Sequence, residues 1–200
     1  LALDANALTG EIPASLADLP NLGVGMVLSY VGFSYNALTA TDADLITFLA
    51  EEDPDFAQTQ TVAPTGVDTG TIGDNSIQVL WTAIDYTDHD GYYEVGYRVG
   101  NSGEYTFLPA NRTADKTGVT VTVGGLTGAT EYCFVVRTVT SPHLTTANYF
   151  IDNKNTLTSA NSANVCATTT NLGTPTTKPT ATVLVSPTGN QAITGTKSPV

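Results

Sequence analysis

The sequence predicts a mostly β protein of the α+β class, in which a short repeat region closed by a helix precedes a seven-stranded antiparallel β-sandwich. Three observations support this prediction. Between Leu1 and Leu22, leucines recur at the spacing of a stacked repeat. An amphipathic helical pattern follows Thr41. Beyond Thr65, apolar and polar residues alternate with the period of two that is typical of β-strands.

The first repeat begins at Leu1 and has the spacing L-x-L-x-x-N-x-L. It predicts a short strand around Leu1–Leu3 and a turn in which the Asn6 side chain hydrogen-bonds backbone groups. An irregular or helical return through Leu16, Leu19 and Leu22 should follow. One repeat cannot bury its own leucines, because stacked neighbours supply the rest of the core. We therefore expect protein outside residues 1–200, from a longer chain or a neighbouring subunit, to complete both ends.

A second repeat is predicted around Asn36, although the interval from Asn6 to Asn36 is longer than such repeats usually have. A helix N-capped by Thr41 follows it, and Asp53-Pro54 ends this helix. Together these features resemble the C-terminal end of a bacterial leucine-rich repeat domain of the LTGEIP type. The resemblance implies a solenoid end, with the helix as its cap.

The second half of the chain contains short alternating segments separated by Gly, Asn, Asp or Pro. Such segments at this spacing are typical of an antiparallel sandwich. The seven predicted strands lie around Val67 and over residues 77–81, 93–99, 105–107, 119–123, 132–137 and 164–168.

Several motifs in this half occur in a fixed order. Pro64 precedes the first strand, Trp81 lies on the second, and Leu126 precedes Tyr132 in the pattern L-x-x-x-x-x-Y. With the ending Ser-Ala-Asn-Val-Cys-Ala-Thr-Thr from Ser162, they resemble a fibronectin type III domain over roughly residues 63–170. The resemblance implies that Trp81 is buried between the sheets and that Tyr132 is the tyrosine-corner residue.

These patterns divide the chain into four parts. Residues 1–58 form the leucine-rich repeats and cap, residues 59–64 a linker, and residues 65–170 the fibronectin type III domain. Residues 171–200 contain a Thr/Pro-rich linker and a lone strand at 181–186. That strand resembles the opening of a further immunoglobulin-like module, or it is a tail that pairs with another subunit.

Cys133 and Cys166 are the only two cysteines. In the sandwich topology they lie on the sixth and seventh strands, which are antiparallel neighbours, and we predict a disulfide between them. Cys133 should face outward, because alternation turns Tyr132 and Phe134 inward. The alternative is a pair of free thiols in a reducing compartment.

The acidic loop with Asp85, Asp88 and Asp90 is either a calcium site or a solvated turn. We favour the turn, because the spacing lacks the bidentate carboxylate of a calcium loop. His89 and His143 are separate in sequence, and no nucleophile or metal motif accompanies them. We therefore expect no catalytic residue, no cofactor and no metal site.

Two surface features could carry or bind sugars. Asn111-Arg-Thr113 is the one N-x-T sequon, and we place it in a loop as a candidate glycosylation site. Five tyrosines form either a sugar-binding face or, as we favour, half-buried sandwich residues. They are Tyr92, Tyr93, Tyr97, Tyr105 and Tyr149.

The chain carries 19 acidic and 7 basic residues, a formal net charge of −12. This charge disfavours nucleic acid and anionic membranes, which bind clustered Lys and Arg. We expect a secreted, cell-surface, non-enzymatic protein for adhesion and spacing, with a protein or glycan partner. The alternatives are a subunit of an extracellular fibre that assembles with its own copies, and an accessory region of a secreted carbohydrate-active enzyme.

Overall fold

The computed structural model describes residues 1–19, 31–144 and 152–171. Leu22, Tyr149 and the predicted strand at 181–186 lie outside the described residues. The described strands are β1 (Thr9–Glu11), β2 (Ala37–Thr39), β3 (Thr65–Ile72), β4 (Ser76–Thr82), β5 (Gly91–Val99), β6 (Thr106–Arg112), β7 (Thr120–Gly124), β8 (Glu131–Thr140), β9 (Leu157–Thr158) and β10 (Val165–Thr168). The helices are a 3-10 turn at Ala14–Leu16, α1 (Ala43–Glu52) and α2 (Phe56–Thr59).

The N-terminal region, residues 1–19 and 31–62, contains a small parallel sheet. Strands β1 and β2 pair in parallel, with Thr9 opposite Ala37 and Glu11 opposite Thr39. Helix α1 covers this sheet because Leu45 and Leu49 lie on one of its faces, and both are buried. The apolar core of the region consists of Ile12, Val31, Phe33, Leu38, Leu45 and Leu49.

Asn36 connects the two parallel segments of this region. Its side chain is fully buried, and its Oδ1 accepts hydrogen bonds from the backbone N–H groups of Asn6 (3.1 Å) and Leu8 (2.9 Å). Its Nδ2 donates to the carbonyls of Leu3 (2.9 Å) and Phe33 (2.8 Å). One amide side chain therefore satisfies backbone groups of two segments that are distant in sequence.

One sequence-based expectation for this region is confirmed and two are wrong in detail. The Asn6 amide donates to the nearby backbone carbonyl of Asp4 at 2.8 Å, as predicted, although the side chain is exposed. Around Leu1–Leu3 there is a single bridge, between Ala2 and Gly32, and the strand lies further on, at β1. The N-cap of α1 is Asp42, whose Oδ1 accepts from the N–H groups at positions 44 and 45, because the helix begins one residue later than predicted.

The second region is a sandwich of two antiparallel sheets. One sheet has the order β10-β8-β5-β6, with β9 also paired to β8, and the other has the order β3-β4-β7. The described sandwich thus has eight strands and not seven, because β9 is only two residues long and has no readable alternation. The core between the sheets includes Ile77, Val79, Trp81, Tyr93, Val95, Val121, Val123, Phe134 and Val136.

Two aromatic residues fix the sandwich core. Trp81 is 5% exposed and packs edge-on against Tyr93, with ring centroids 5.4 Å apart. The Tyr132 hydroxyl accepts a hydrogen bond of 3.0 Å from the N–H of Thr127. This bond ties β8 to the turn that precedes it, as expected of a tyrosine corner.

The outer face of the larger sheet holds a buried carboxylate. Glu94 on β5 is 2% exposed and accepts from Arg112 Nε at 3.0 Å and from Arg137 Nε at 2.5 Å. The Arg137 guanidinium also lies 3.8 Å from the centroid of Phe107, which packs over Gly96. Two cations on one buried carboxylate satisfy the desolvated charge and join β5, β6 and β8.

Strand β8 is buried on both faces. Phe134 and Val136 enter the core, while Cys133 and Val135 on the opposite face are also buried. Cys133 pairs directly with Cys166 of β10 and forms a disulfide with it. Cys133 therefore faces away from the core as predicted, but it is fully buried and does not contribute to the surface.

We predict that Asn36→Ala destabilises the N-terminal region by about 3 kcal/mol, because it orphans several buried backbone groups. Asn6→Ala is the matched control and should change stability by less than about 0.5 kcal/mol, since that side chain is exposed. Urea unfolding with hydrogen exchange at Leu8 measures both. Equal effects of the two substitutions would show that Asn36 is not the connecting residue.

We also predict that replacing both Cys133 and Cys166 by Ala lowers the free energy of unfolding by about 3–4 kcal/mol in the chain-entropy model. The disulfide closes a loop between two residues with a sequence separation of 33. Without it, the unfolded chain gains the conformational freedom of an open loop. Denaturation of the oxidised chain and of the variant tests this. An unchanged midpoint would contradict it.

Candidate functional site at the joint between the two regions

The joint begins with buried residues that follow α2. Gln60 is 1% exposed; its Oε1 accepts from Leu38 N–H (3.1 Å) and its Nε2 donates to Phe33 O (2.9 Å). Thr61 is fully buried, and its N–H donates to Asn36 O at 2.8 Å. The segment predicted to be a linker is thus packed along the edge of β2.

The same segment also binds the sandwich. The hydroxyls of Thr61 and Thr140 are 2.8 Å apart, and Thr138 Oγ1 donates to Val62 O at 2.7 Å. Both sandwich partners lie on β8 and are fully buried. A connection whose side chains are hydrogen-bonded on both sides restricts rotation of the two regions about the segment.

Beside these bonds lies a cluster of rings, which we call the joint cluster: Tyr35, Tyr86, His89, Lys116 and His143. The two imidazoles stack with centroids 3.8 Å apart and planes 24° from parallel. Tyr35, from the N-terminal region, lies edge-on to both, with centroids 5.1 Å from His143 and 5.7 Å from His89. Tyr35 is thereby the ring through which the N-terminal region touches the histidines.

Tyr35 also has an unusual backbone. Its φ is +59°, in the left-handed region that a bulky side chain rarely adopts. Ala5, at the equivalent position of the preceding parallel segment, has a φ of +53°. The same conformation in both segments indicates that the backbone repeat imposes it. It directs Tyr35 towards the sandwich.

The hydrogen bonds in the cluster have a defined direction. His143 Nδ1 lies 3.0 Å from the Ser141 carbonyl, which can only accept, so Nδ1 carries the proton. In the neutral ring Nε2 must then accept from the Tyr86 hydroxyl, 3.2 Å away. That hydroxyl has one hydrogen, so His89 Nδ1, at 3.1 Å, must donate to the Tyr86 oxygen. The network is complete when both imidazoles are neutral.

Lys116 is the cation of the cluster and is only 2% exposed. Its Nζ lies 3.7 Å from the centroid of Tyr86 and 3.5 Å from Thr140 Oγ1. Within the described residues no carboxylate forms an ion pair with it. It lines an open pocket of about 530 Å³ together with Asp88, Asp90 and His89. Its direct contacts are therefore a ring and a hydroxyl, with the two pocket carboxylates further away.

Burial changes the protonation of three members. It raises the pKa of Tyr86 above the ordinary value of 10.0, with smaller effects of Tyr35 and Asp88. Burial lowers the pKa of Lys116 to about 8, against the attraction of the two pocket carboxylates. Burial and then the neighbouring His143 lower the pKa of His89 below 6.5. The site thus disfavours the charged forms of these three groups.

The sequence named His89 and His143 but did not place them together. The structure stacks them although they are distant in sequence, since one lies before β5 and the other after β8. Tyr35, Tyr86 and Lys116 were missed, because no local pattern marks a lysine that becomes buried by tertiary packing. Among the described residues, no three His, Cys, Asp or Glu side chains converge as a metal site would need.

The glycosylation prediction needs correction. Asn111 lies in strand β6 and not in a loop, and it is 4% exposed. Its Nδ2 is buried, and Thr113 Oγ1 of the same sequon accepts from Tyr93 N–H at 2.8 Å. This packing cannot accommodate a glycan on Nδ2. The sequon pattern alone does not distinguish a loop from a strand, and here Asn111 and Arg112 belong to the edge strand β6.

The four described tyrosines of this set do not form an open face. Tyr93 is fully buried, and Tyr97 is half-buried 6.3 Å from the Tyr132 centroid. Arginine guanidinium groups lie on the ring faces of Tyr92 (4.7 Å) and Tyr105 (4.3 Å). A ring face that an arginine covers cannot stack on a sugar.

We predict that Lys116 contributes a rise of about 2 kcal/mol to the free energy of unfolding between pH 8 and pH 10, measured as the difference between the parent chain and Lys116→Met. A lowered lysine pKa means that the folded chain loses its proton before the unfolded chain does, so stability increases as the pH rises from 8 towards 10.5. Lys154→Met, at an exposed position, should keep the rise. Urea titrations at several pH values test this, and an equal rise in the parent chain and in Lys116→Met would contradict it.

Comparison with known proteins places the sandwich in a family. A solved structure described as "Myokine structure" is 16% identical, with a TM-score of 0.41, and it covers 56% of this chain and 100% of that chain. Comparison with curated proteins finds no match. Residues 62–148 match the family profile of the fibronectin type III domain. The chain therefore contains a fibronectin type III domain at residues 62–148.

Proposed function

We propose that the chain is a non-enzymatic extracellular protein in which an adhesive N-terminal region is held at a fixed angle on a fibronectin type III spacer. The observation that carries this proposal is the buried joint. Thr61 bonds to Asn36 on one side and to Thr140 on the other, so the spacer determines the direction in which the N-terminal region points. A swivelling linker would not fix that direction.

The extracellular location rests on two features. Fibronectin type III domains are common in extracellular and cell-surface proteins, and the Cys133–Cys166 disulfide is stable in an oxidising compartment. Within the described ranges, none of the helices is long and apolar enough to cross a membrane.

The non-enzymatic part of the proposal rests on the joint cluster. A histidine that acts as a general base needs a substrate or nucleophile beside its free nitrogen. Here the Tyr86 hydroxyl bonds to one nitrogen of each imidazole and the rings stack on each other, and among the described contacts no serine hydroxyl or cysteine thiol is paired with either ring. This arrangement supports packing, and we assign it a structural role.

We infer that residues 1–58 are the end of a leucine-rich repeat solenoid and that its exposed side contacts a protein or glycan partner. The parallel β1–β2 pairing and the buried Asn36 support this interpretation. All three residues of β1 are exposed, which leaves the strand available for contact. The net charge of −12 favours a partner that is neither nucleic acid nor an anionic membrane surface.

Adhesion can be tested with beads that carry the chain through Thr122→Cys, an exposed position on the sandwich. We expect binding to a member of a glycan array or of a panel of purified extracellular proteins. The pair Thr9→Lys and Glu11→Lys should weaken that binding by about tenfold or more, ~1.4 kcal/mol.

The matched control is Glu104→Lys with Thr106→Lys, which are exposed on the sandwich and should have no effect. Absence of any binding, or loss of binding only in the sandwich variant, would contradict the adhesive role. Chemical turnover of a bound glycan would contradict the non-enzymatic role.

A second candidate function is a subunit of an extracellular fibre. Strand β1 favours it, because within the described residues only β2 pairs with it, and a strand edge without a partner can accept a strand from another copy. Light scattering distinguishes the two: a concentration-dependent rise in mass that the Thr9→Lys, Glu11→Lys variant abolishes supports the fibre, and a constant monomer mass excludes it.

A further inference from the structure

We propose that the stacked pair His89–His143 is a pH-sensitive latch, which holds the N-terminal region against the sandwich when both rings are neutral and releases it when they are protonated. The proposal concerns the joint alone and does not depend on an adhesive role for the chain.

The geometry of the stack opposes protonation of both rings. They are 3.8 Å apart and nearly parallel, and the Lys116 ammonium lies over the Tyr86 ring, 3.7 Å from its centroid. Protonation of both histidines would place two like charges face to face beside a third cation. Such a like-charge contact, partly desolvated, costs much more than it would in water.

Protonation would also remove a hydrogen bond. The Tyr86 hydroxyl donates to His143 Nε2 and accepts from His89 Nδ1 in the neutral cluster. A proton on His143 Nε2 turns that acceptor into a donor, so the hydroxyl hydrogen loses its partner. A buried hydroxyl without an acceptor is destabilised by the cost of its lost hydration.

Tyr35 and Thr140 connect the cluster to the joint. Tyr35 is the contact of the N-terminal region with both imidazoles, and its ring also packs against the sandwich core. Thr140 bonds to Thr61 across the joint and also accepts from Lys116. Repulsion within the cluster therefore acts on the contacts that close the joint.

Opposite charges face the cluster as well. Asp88 and Asp90 oppose the lowering of the His89 pKa, but burial, His143 and Lys116 outweigh them. The titratable and charged groups around the pair are Asp88, Asp90, Asp115 and Lys116 on the pocket side, with Tyr86 between the rings and Lys116. On the N-terminal side they are Tyr35 with Asp4 and Asp55 near it. The carboxylates lie at the outside of the cluster, while the ammonium lies within it.

His89 determines the sign of the pH dependence. The closed joint lowers its pKa below 6.5, so the open joint binds the proton more readily and acid favours opening. The contribution of His89 to the stability of the closed state is complete above pH 6.5. It is lost as the pH falls below 6.5 and through the lowered pKa of His89. With His89 as the titrating group, the open fraction should rise by up to about tenfold from pH 7.5 to pH 5.5, the limit for one histidine that stays neutral in the closed joint.

A thiol introduced by Thr61→Cys reports the opening, because this position is fully buried in the joint. The rate at which this thiol reacts with an aromatic disulfide reagent that is active in acid is divided by the rate of a free thiol at the same pH. This ratio measures the open fraction of the joint even when that fraction is small. The native disulfide remains intact. We expect about a tenfold increase in this ratio from pH 7.5 to pH 5.5.

Three further variants make the test specific. Adding His89→Asn, which keeps a donor but cannot be protonated in this range, should make the ratio independent of pH. Adding Tyr35→Ala should give the open-joint ratio at both pH values. A thiol from Val79→Cys in the sandwich core should stay unreactive at both.

The proposal is overturned by a ratio that does not change with pH, by an increase that persists with His89→Asn, or by an equal increase at position 79, which would indicate global unfolding. Failure to find an adhesive partner leaves this result unaffected, since the thiol measurement involves no ligand.

Discussion

The structure depends on the burial of both faces of β8. One face supplies Phe134 and Val136 to the core between the sheets, and the other is covered at Cys133 by the disulfide partner Cys166. Surface strands in a sandwich usually leave one face in water. On β8, Thr138 and Thr140 continue the core-facing side of Phe134 and Val136 towards the end of the strand, and the N-terminal region is fixed there.

The N-terminal region uses polar side chains to reach this surface. Asn36 and Gln60 satisfy backbone groups that a small sheet would otherwise leave unpaired, and Thr61 passes between them and β8. Buried amides are useful in this position because each offers both donors and an acceptor. The region is therefore ordered by hydrogen bonds to a few side chains as much as by its modest apolar core.

The sequence predicted what local periodicity encodes and missed what tertiary contact creates. The alternating strands were readable, because burial on one face of a strand leaves a period of two. The roles of Trp81 and Tyr132 followed from the resemblance to a fibronectin type III domain, and the cysteine pair from the predicted sandwich topology. Strand β9 was missed, since so short a strand carries no period. Asn111 was misplaced, because a sequon shows composition and not burial. The His89–His143 stack was invisible, since its members come from loops at the ends of different strands.

The joint cluster contains groups that reduce the stability of the joint and make it respond to pH. An apolar residue in place of Lys116 would avoid the cost of a buried cation, and a phenylalanine in place of either histidine would stack as well. The chain instead places two imidazoles and an ammonium close to one phenol. A joint that needed only rigidity would not require titratable rings. A joint that loosens when His89 takes up a proton, as we propose, would be rigid under one condition and releasable under another.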